Sequence, residues 1–432
     1  MRRVLIISPH FPPINAADMQ RVRMSLPYFA DFGWEAEVAI VDEKFSDLVK
    51  DELLLQTVPN QITIHKISAF QKKYTAKFGM GGLALRSINH YRKQINSILA
   101  KKKIDLIYFS TTQFPICILG SYWKKKFGIP YVIDMQDPWH STYYQDKPKS
   151  ERPPKHWFSY RLNKITEPIA MRSVDGIISV SQKYIDTLQG RYPRLLNRPC
   201  QVITFGTFDV DFKIAAKNDS LLDLVYTKDN KHINLVYVGR GGFDVQPAVK
   251  ILFDLVKKAK TQDPELFNRL RLYFIGTSYA TNGEGIPTIA PLAANFGLDE
   301  QVIEFTDRIG FYQSIKNLQQ SDGLIIIGSN DPSYTASKLY PYILTNKPLL
   351  AILHPNSSAL SILKKCNAGK AIYLGQNETE CKAVFSDYLA QILLRQPTET
   401  NWQEFEQYTS RALTEKQVAL FNQVISNSNN LP

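Results

Sequence analysis

Acidic and aromatic side chains crowd one short segment of the chain, Asp134 to His140, which follows the apolar run Tyr131–Ile133. Two carboxylates, an amide, an indole and an imidazole stand there at the end of a predicted strand. The segment is therefore a candidate for binding or catalysis. The alternative is an Asx-turn at Asp137 with Trp139 in the core. Two carboxylates three residues apart could also bind a divalent metal, but no further oxygen ligand stands at a useful spacing.

A second candidate is the run Gly239-Arg240-Gly241-Gly242, which follows the apolar stretch His232–Val238. It does not match the GxGxxG pattern of dinucleotide-binding loops. Flexible backbone beside a guanidinium nevertheless suits a diphosphate, because arginine binds phosphate oxygens through two parallel hydrogen bonds. The alternative is a tight turn with an exposed arginine.

Two further loops follow predicted strands. The loop from Ser329 to Leu339 is rich in hydroxyl groups and enters a predicted helix at Ser337, which would cap it. The same hydroxyl and N–H groups, together with Lys338, could hold a phosphate. The Pro-rich loop after Val4–Ile7 also precedes a helix, which the apolar spacing predicts from Ala17 to Phe32 and whose N-terminus would attract anions. That loop has no glycine, so a purely structural role is the alternative.

These segments alternate with helical patterns along the chain, and the other predicted strands include Leu106–Ser110, Val302–Phe305, Gly323–Ile327 and Leu349–Leu353. The alternation predicts α/β architecture with parallel sheets. The alternation restarts after residue 230, and the 432 residues are too many for one core. We therefore predict an N-terminal domain (1–208), a linker (209–231), a C-terminal domain (232–398) and a helical tail (399–432) that packs back on the first domain. Two doubly wound sheets place their ligand sites at the carboxyl ends of the strands.

Composition narrows the class of protein. Four scattered cysteines without a CxxC pair argue against a disulfide framework or a zinc site and fit a reducing cytosol. No apolar run approaches the ~18 residues of a membrane span. The net charge is +12, and residues 1–200 carry 30 basic and 17 acidic side chains. This asymmetry predicts an anionic partner for the first half, such as a membrane surface or a lipid-phosphate acceptor, and a peripheral position on the inner membrane.

The candidate stretches, taken in order, resemble glycosyltransferase family 4, and the likeness covers nearly the whole chain. Each motif is loose, but their order and spacing are jointly specific. Six stretches carry the likeness: Pro12-Pro13 through Arg21, Gly128–Trp139, Val174–Ser181, Gly239-Arg240, Phe305–Arg308, and Ser337 through Ala351.

The resemblance implies the GT-B fold, in which two Rossmann-like domains face each other across a cleft. It implies retaining transfer of a sugar from a nucleotide diphosphate sugar to a hydroxyl of a glycan or lipid-linked glycan, with no metal and no cofactor. The implied donor-binding residues are Gly239, Arg240, Arg308, Ser333, Ser337 and Lys338.

The resemblance also implies roles for individual residues. Arg240 and Lys338 are expected to stabilise the charge that builds on the departing diphosphate. Asp137 is expected to organise the acceptor or the reacting sugar, and Asp134 and His140 are secondary candidates. Pro12 and Asn15, in the first loop, complete the set expected near the acceptor.

Departures from the family pattern leave alternatives open. The family's paired glutamates fall on Ser333 and Pro341, and proline cannot replace a ligand of the donor ribose. One alternative is therefore a binding or partner subunit that has lost turnover, and another is a sugar-nucleotide epimerase. A nucleic-acid binder is disfavoured because the basic clusters lack interleaved aromatic residues.

Overall fold

A computed structural model of the chain divides into two units, each with its own parallel sheet. The structure describes residues 1–142, 144–145, 148–149, 152, 156–280, 283–332 and 337–429. Unit 1 comprises Met1–Phe205 and Ser410–Pro432, and unit 2 comprises Gly206–Thr409.

The described residues contain thirteen strands, seven in the sheet of unit 1 and six in the sheet of unit 2. In chain order they are β1 (Arg2–Ile7), β2 (Trp34–Val41), β3 (Thr63–Ile67), β4 (Leu106–Ser110), β5 (Tyr131–Met135), β6 (Gly176–Ser179), β7 (Cys200–Val202), β8 (Ile233–Val238), β9 (Leu270–Ile275), β10 (Val302–Phe305), β11 (Gly323–Ile327), β12 (Leu349–Leu353) and β13 (Lys370–Tyr373).

The α-helices alternate with the strands along most of the described chain. They are α1 (Gln20–Ser25), α2 (Lys72–Thr75), α3 (Leu83–Lys101), α4 (Ile118–Phe127), α5 (His156–Met171), α6 (Gln182–Arg191), α7 (Asp209–Lys217), α8 (Gln246–Gln262), α9 (Pro264–Arg269), α10 (Ala290–Phe296), α11 (Phe311–Gln320), α12 (Leu339–Leu344), α13 (Ser358–Lys365), α14 (Glu378–Leu393), α15 (Trp402–Phe405) and α16 (Ser410–Asn429).

Unit 1 is built on a seven-stranded parallel sheet in the order β3-β2-β1-β4-β5-β6-β7. Successive side chains of β1 enter different cores because side chains alternate across a strand. Leu5 joins the cluster under α3 and α4, whereas Val4 and Ile6 join the cluster that contains Phe421 of α16. Both faces are thus covered, as continuous apolar strands require.

Unit 2 repeats the architecture with six parallel strands in the order β10-β9-β8-β11-β12-β13. Its core includes Leu235, Leu272, Ile325 and Leu350 from four adjacent strands. Amphipathic α8 packs on this sheet through buried residues such as Leu252.

The predicted strands are largely confirmed, and the differences have physical causes. The helix predicted from Ala17 to Phe32 is broken into the short α1 and three 3-10 turns, one of which contains Pro27. Proline removes a backbone donor and clashes with the preceding turn. The segment that we read as a linker contains α7, and the contacts place α16 in unit 1.

None of the described helices combines the length and the hydropathy that crossing a bilayer requires.

Candidate functional site

Each sheet has one point where the strand order reverses, and loops at such a point leave a crevice at the carboxyl ends of the strands. In unit 2 the reversal lies between β8 and β11, and in unit 1 it lies between β1 and β4. The predicted site residues follow strands at or near these two points.

The turn after β8 depends on glycine at two positions. A Cβ at Gly239 would collide with the Nζ of Lys338 and with the hydroxyl end of Tyr237, so a larger residue would displace these side chains. Gly242 has a φ of 117°, a backbone conformation that residues with a Cβ rarely adopt. The glycines thus allow Lys338 to approach the end of β8.

Arg240 is fixed by a carboxylate on the same turn. Its two terminal nitrogens donate to the two carboxylate oxygens of Asp244 at 2.6 and 2.5 Å. Burial raises the pKa of Asp244, but hydrogen bonds from Arg240 and Ser329 lower it by more, and the net shift is downward. Asp244 therefore stays ionised and holds a half-buried guanidinium at the edge of the sheet.

Lys338 lies beside this turn, with its Nζ 5.4 Å from the ring centroid of Tyr237. Burial, followed by the positive charges of Arg240 and Arg308, lowers its pKa to about 7. No carboxylate of the described residues comes within ion-pair distance of its ammonium. An anion at this position would therefore supply the charge that Lys338 lacks.

Arg308 follows β10, on the same side of the reversal as β8, and its guanidinium lies 5.1 Å from the ring centroid of Tyr279. Its influence on the pKa of Lys338 places the three cations in one neighbourhood. We call Arg240, Arg308 and Lys338 the cationic edge.

The partly buried carboxylate of Glu304, on β10, is already engaged by other donors. Glu304 accepts from Thr277 and from the backbone N–H groups of Thr288, Ile289 and Ala290, at 2.6 to 3.1 Å. These bonds cap the start of α10. Glu304 is therefore not oriented toward the cationic edge.

The predicted cap at Ser337 is wrong. The helix begins two residues later, at Leu339, and its N-terminus has no side-chain cap. Ser337 is exposed in the turn next to Lys338, so it still adjoins the cationic edge. Ser333 lies outside the described residues.

The end of β8 is separated from β11 by a tyrosine. The two strands pair only at Leu235 and Val236, opposite Gly323 and Leu324. Further along β8, the backbone N–H of Val238 donates to the hydroxyl of Tyr342 at 2.7 Å. This divergence gives the loops of the cationic edge room between two neighbouring strands.

In unit 1, Asp134 is part of the sheet rather than of the loop that we predicted. It lies in β5 and is fully buried, and one carboxylate oxygen accepts from Arg21 at 2.7 Å. The same oxygen accepts from Ser110 and Gln136. Arg21 also donates to the carbonyl of Ile203, so the pair ties β5 to the loop after β7.

Asp18 is a second buried carboxylate at this edge, and the sequence analysis did not select it. It accepts from His10 Nδ1 at 3.0 Å, from the hydroxyl of Thr111, and from the N–H and hydroxyl of Thr112 at 3.0 and 3.1 Å. Burial raises its pKa, but the hydrogen bond and charge of His10 and the N–H of Thr112 lower it further, and the net shift is downward. His10 follows β1 and the two threonines follow β4, so Asp18 spans the reversal.

Asp137 is the exposed carboxylate of the segment Asp134–His140, in which Asp134 is buried. Desolvation by the surrounding protein and then the negative charge of Asp18 raise its pKa to about 6. The backbone N–H of His140 donates to the carboxylate of Glu167, and the His140 ring packs on Tyr160. Burial and the charge of Arg191 lower the pKa of His140, which is therefore neutral at pH 7.

The two residues predicted to act from the first loop, Pro12 and Asn15, are fixed by backbone features. Pro12 is buried and joined to Pro13 by a cis peptide bond. Asn15 donates its backbone N–H to the carbonyl of Val49 at 2.9 Å. We call His10, Asp18, Asp134 and Asp137 the acidic edge, since three of the four are carboxylates.

Sequence reasoning missed Asp18 and Asp244. The pairing of Asp244 could have been predicted from the sequence, because an acid four residues after Arg240 in a turn can reach its guanidinium. Asp18 carried none, since its partners Thr111 and Thr112 lie more than ninety residues away. Within the described part of the chain, no three His, Cys, Asp or Glu side chains form a group that could hold a metal ion.

Comparison with solved structures identifies the fold. HepE of Anabaena, solved with UDP-glucose, is 15% identical, with full coverage of both chains and a TM-score of 0.54. A UDP-forming trehalose-phosphate synthase from Burkholderia vietnamiensis is 10% identical over both full chains, with a TM-score of 0.59.

A third neighbour is WaaG, a glycosyltransferase involved in lipopolysaccharide biosynthesis. It is 13% identical, over 99% of this chain and 100% of its own, with a TM-score of 0.52. The chain has the GT-B fold. No protein-family description matches its sequence, and no curated protein matches it.

Proposed function

We propose that this GT-B protein transfers a sugar from a nucleotide diphosphate sugar to a hydroxyl group. The observation that carries the proposal is the cationic edge, where Arg240, Arg308 and Lys338 lie together and, among the described residues, only Arg240 has a carboxylate partner, Asp244. A diphosphate of two negative charges would neutralise the remainder. HepE, of the same fold, was solved with UDP-glucose, which supports this class of donor.

The chemistry required of the site is stabilisation of the departing diphosphate. Negative charge on its bridging oxygen grows as the bond to the anomeric carbon breaks. Cations already fixed near that oxygen lower the barrier without reorganising during the reaction. Arg240 is fixed by Asp244, and Lys338 by Tyr237 and the glycine turn.

Retention of configuration, metal independence and the acceptor are further parts of the proposal. Retention rests on the resemblance alone. Asp137 is the acceptor-side candidate that remains exposed at the acidic edge, whereas the Asp134 side chain is enclosed by its partners. We therefore assign Asp137 to the acceptor or the reacting sugar and Asp134 to the architecture of unit 1.

We further propose that the acceptor is lipid-linked and that unit 1 contacts an anionic membrane at the cytoplasmic surface. Helix α5 exposes Trp157, Arg161, Lys164, Ile165 and Ile169 at helical spacing, and Trp157 and Ile165 are each 64% exposed. Apolar and basic side chains mixed on one helix face suit the boundary between headgroups and acyl chains.

A neighbouring segment extends this surface. The Phe158 ring lies 3.5 Å from where a Cβ on Gly79 would stand, so the start of α5 packs beside the chain that follows α2. Helix α2 exposes Lys72, Lys73 and Tyr74.

The donor proposal is tested by thermal shift and turnover on the full chain. UDP-glucose, GDP-mannose and ADP-glucose at millimolar concentration are the probes, with and without EDTA. At least one should raise the melting temperature by mass action, and release of its nucleoside diphosphate should be measurable. Arg240→Ala should abolish the shift and lower kcat/KM by about 10²–10³-fold.

The matched control is Arg269→Ala in the same unit. Arg269 immediately precedes β9 and so lies at the opposite edge of the sheet. This variant should behave as the wild type. Donor binding without turnover would instead identify a binding subunit, and no binding by any sugar nucleotide would refute the proposal.

The membrane proposal is tested by sedimentation with vesicles of phosphatidylcholine alone or with phosphatidylglycerol. The chain should sediment only with the anionic vesicles. Replacing Trp157 and Ile165 by serine should abolish sedimentation while leaving donor binding unchanged. Equal sedimentation of the variant and the wild type would contradict the assignment of α5.

A further inference from the structure

The amine of Lys338 lies in surroundings that suit a nucleophile. Its Nζ lies against the backbone at Gly239 and 5.4 Å from the ring centroid of Tyr237. The hydroxyl of Tyr237 is already engaged, because it donates to the carbonyl of Arg240 at 2.9 Å. The charged groups that act on the amine are the guanidinium groups of Arg240 and Arg308. Among the described residues, no carboxylate lies at ion-pair distance from it.

These surroundings leave about half of the amine unprotonated at neutral pH. Desolvation, and then the charges of Arg240 and Arg308, lower the pKa of Lys338 to about 7. An ordinary lysine, with a pKa of about 10.4, is unprotonated in only about one molecule in 2,500 at pH 7. The unprotonated amine is the form that attacks a carbonyl carbon. Because the Lys338 side chain is only partly buried, a small reagent can reach it.

The two arginines beside the amine indicate which carbonyl compounds it would receive. Arg240 is fixed by Asp244, and Arg308 has no carboxylate at ion-pair distance within the described part of the chain. Guanidinium groups bind phosphate oxygens through paired hydrogen bonds. A phosphate bound there would hold the rest of a small molecule next to Nζ. The ligand that fits is a small aldehyde that carries a phosphate monoester.

We propose that Lys338 forms a covalent imine with small phosphorylated aldehydes, which bind the cationic edge through their phosphate. The Nζ lone pair bonds to the carbonyl carbon, and the π electrons of the carbonyl move to its oxygen. Both protons of the nitrogen then leave with that oxygen as one molecule of water, and a carbon–nitrogen double bond remains. The adduct would exclude a donor diphosphate from the same edge, and this consequence alone rests on the proposed function.

Lys347 provides a matched comparison in the same unit. Its pKa is also lowered, first by burial and then by the charge of Lys228, while Asp322 raises it. Among the described residues, no arginine contributes to this shift. Both lysines thus have a lowered pKa, whereas the two arginines act only on Lys338. A preference for a phosphorylated reagent should therefore separate the two.

The test follows labelling of the full chain by pyridoxal 5′-phosphate and, separately, by pyridoxal, which lacks the phosphate. Borohydride supplies the hydride that reduces the imine to a stable secondary amine, and peptide mass spectrometry identifies the modified lysine. Lys338 should be modified first, and at least about tenfold faster by the phosphorylated reagent. Lys347 should react equally with both. Lys338→Arg should lose the fast labelling and Lys347→Arg should keep it, with melting temperatures showing that both variants fold.

A pH series tests the nucleophile itself. Nα-acetyl-lysine, labelled in parallel, corrects for the ionisation of the reagent. The rate at Lys338 divided by the rate of this reference should be constant below pH 7 and should fall about tenfold per pH unit above it. The fall is expected because only the ordinary amine continues to lose protons. A ratio that stays constant up to pH 9 would contradict the proposal.

The inference and the proposed function fail in different ways. If Lys338 is labelled no faster than other lysines, or equally by pyridoxal, the inference is wrong, and a thermal shift with a sugar nucleotide still supports the proposed function. UDP-glucose, GDP-mannose or ADP-glucose at millimolar concentration should slow the labelling of Lys338. Selective labelling that none of the three slows would support the inference and refute donor binding at the cationic edge.

Discussion

The two edges of the molecule hold charge in different ways. At the acidic edge, Asp134 is matched by Arg21, and Asp18 by His10 and three other donors. At the cationic edge, Asp244 pairs with Arg240, while Arg308 and Lys338 have no carboxylate within ion-pair distance among the described residues. A charge that is paired within the fold stabilises the structure, whereas a positive charge without a partner favours binding of an anionic ligand.

The net charge of each half of the sequence is opposite in sign to the charge at the edge of the corresponding unit. Residues 1–200 carry 30 basic and 17 acidic side chains, yet the edge of unit 1 is acidic. The remaining residues carry 22 basic and 23 acidic side chains, yet the edge of unit 2 is cationic. The excess positive charge of the first half therefore describes its outer surface, where the exposed face of α5 lies, rather than a phosphate site.

Breaking the buried ion pair between Arg21 and Asp134 should have the largest effect on stability. Asp134→Ala leaves Arg21 buried without its carboxylate, and breaking such a pair costs about 3–5 kcal/mol. Urea unfolding followed by circular dichroism should show this loss. A variant that kept its stability but lost turnover would contradict the comparison, because Asp134 would then act in chemistry.

Removing an unmatched charge should have the opposite effect on the free protein. The pKa of Lys338 is about 7 in the folded chain and 10.5 as a free side chain. The charged form therefore destabilises the fold, and stability should rise between pH 7 and pH 10. Lys338→Met should raise the melting temperature at pH 7, with no gain above pH 10.5. The same variant should bind the donor about tenfold to a hundredfold more weakly.

The titration of Lys338 should also appear in donor binding. Only its protonated form attracts a diphosphate, so affinity should fall by up to about tenfold per pH unit as pH rises above 7. Calorimetry between pH 6 and pH 8.5 measures this dependence. Lys338→Met should remove it. A steep dependence that persists in the variant would assign the titration to another group.

The smallest effect is expected at Asp137, which is exposed but has a raised pKa. Its folded pKa of about 6 exceeds the ordinary aspartate value of 3.8, so ionisation destabilises the fold as pH rises through 4 to 6. Asp137→Asn should raise the melting temperature slightly at pH 7.5 and leave it unchanged at pH 3. Turnover of the wild type should fall below pH 6, and the variant should lack that fall.

Much of the fold could be predicted because buried parallel strands are continuous apolar runs. The bounds of β4, β10, β11 and β12 were predicted to the residue, and β7, with only three half-buried residues, was missed. The periodicity from Ala17 to Phe32 predicted one helix, since apolar spacing does not register the break at Pro27.

The site was predictable where partners are close in sequence or follow a strand directly. Arg240 and Lys338 were selected because each lies in a loop after an apolar run. Asp18 was missed, and Asp134 was placed in a loop, because their partners come from distant loops that only the folded sheet brings together. A linear pattern carries no information about which buried carboxylate finds which donor.

The central claim is that a donor diphosphate binds the cationic edge of unit 2. Hydrogen–deuterium exchange of the full chain, with and without the sugar nucleotide that gives the largest thermal shift, locates the ligand directly. We predict slower exchange in peptides covering Gly239–Asp244 and Ser337–Leu344, and no such slowing in Arg240→Ala. Binding that slows exchange elsewhere and leaves both segments unchanged would contradict the account.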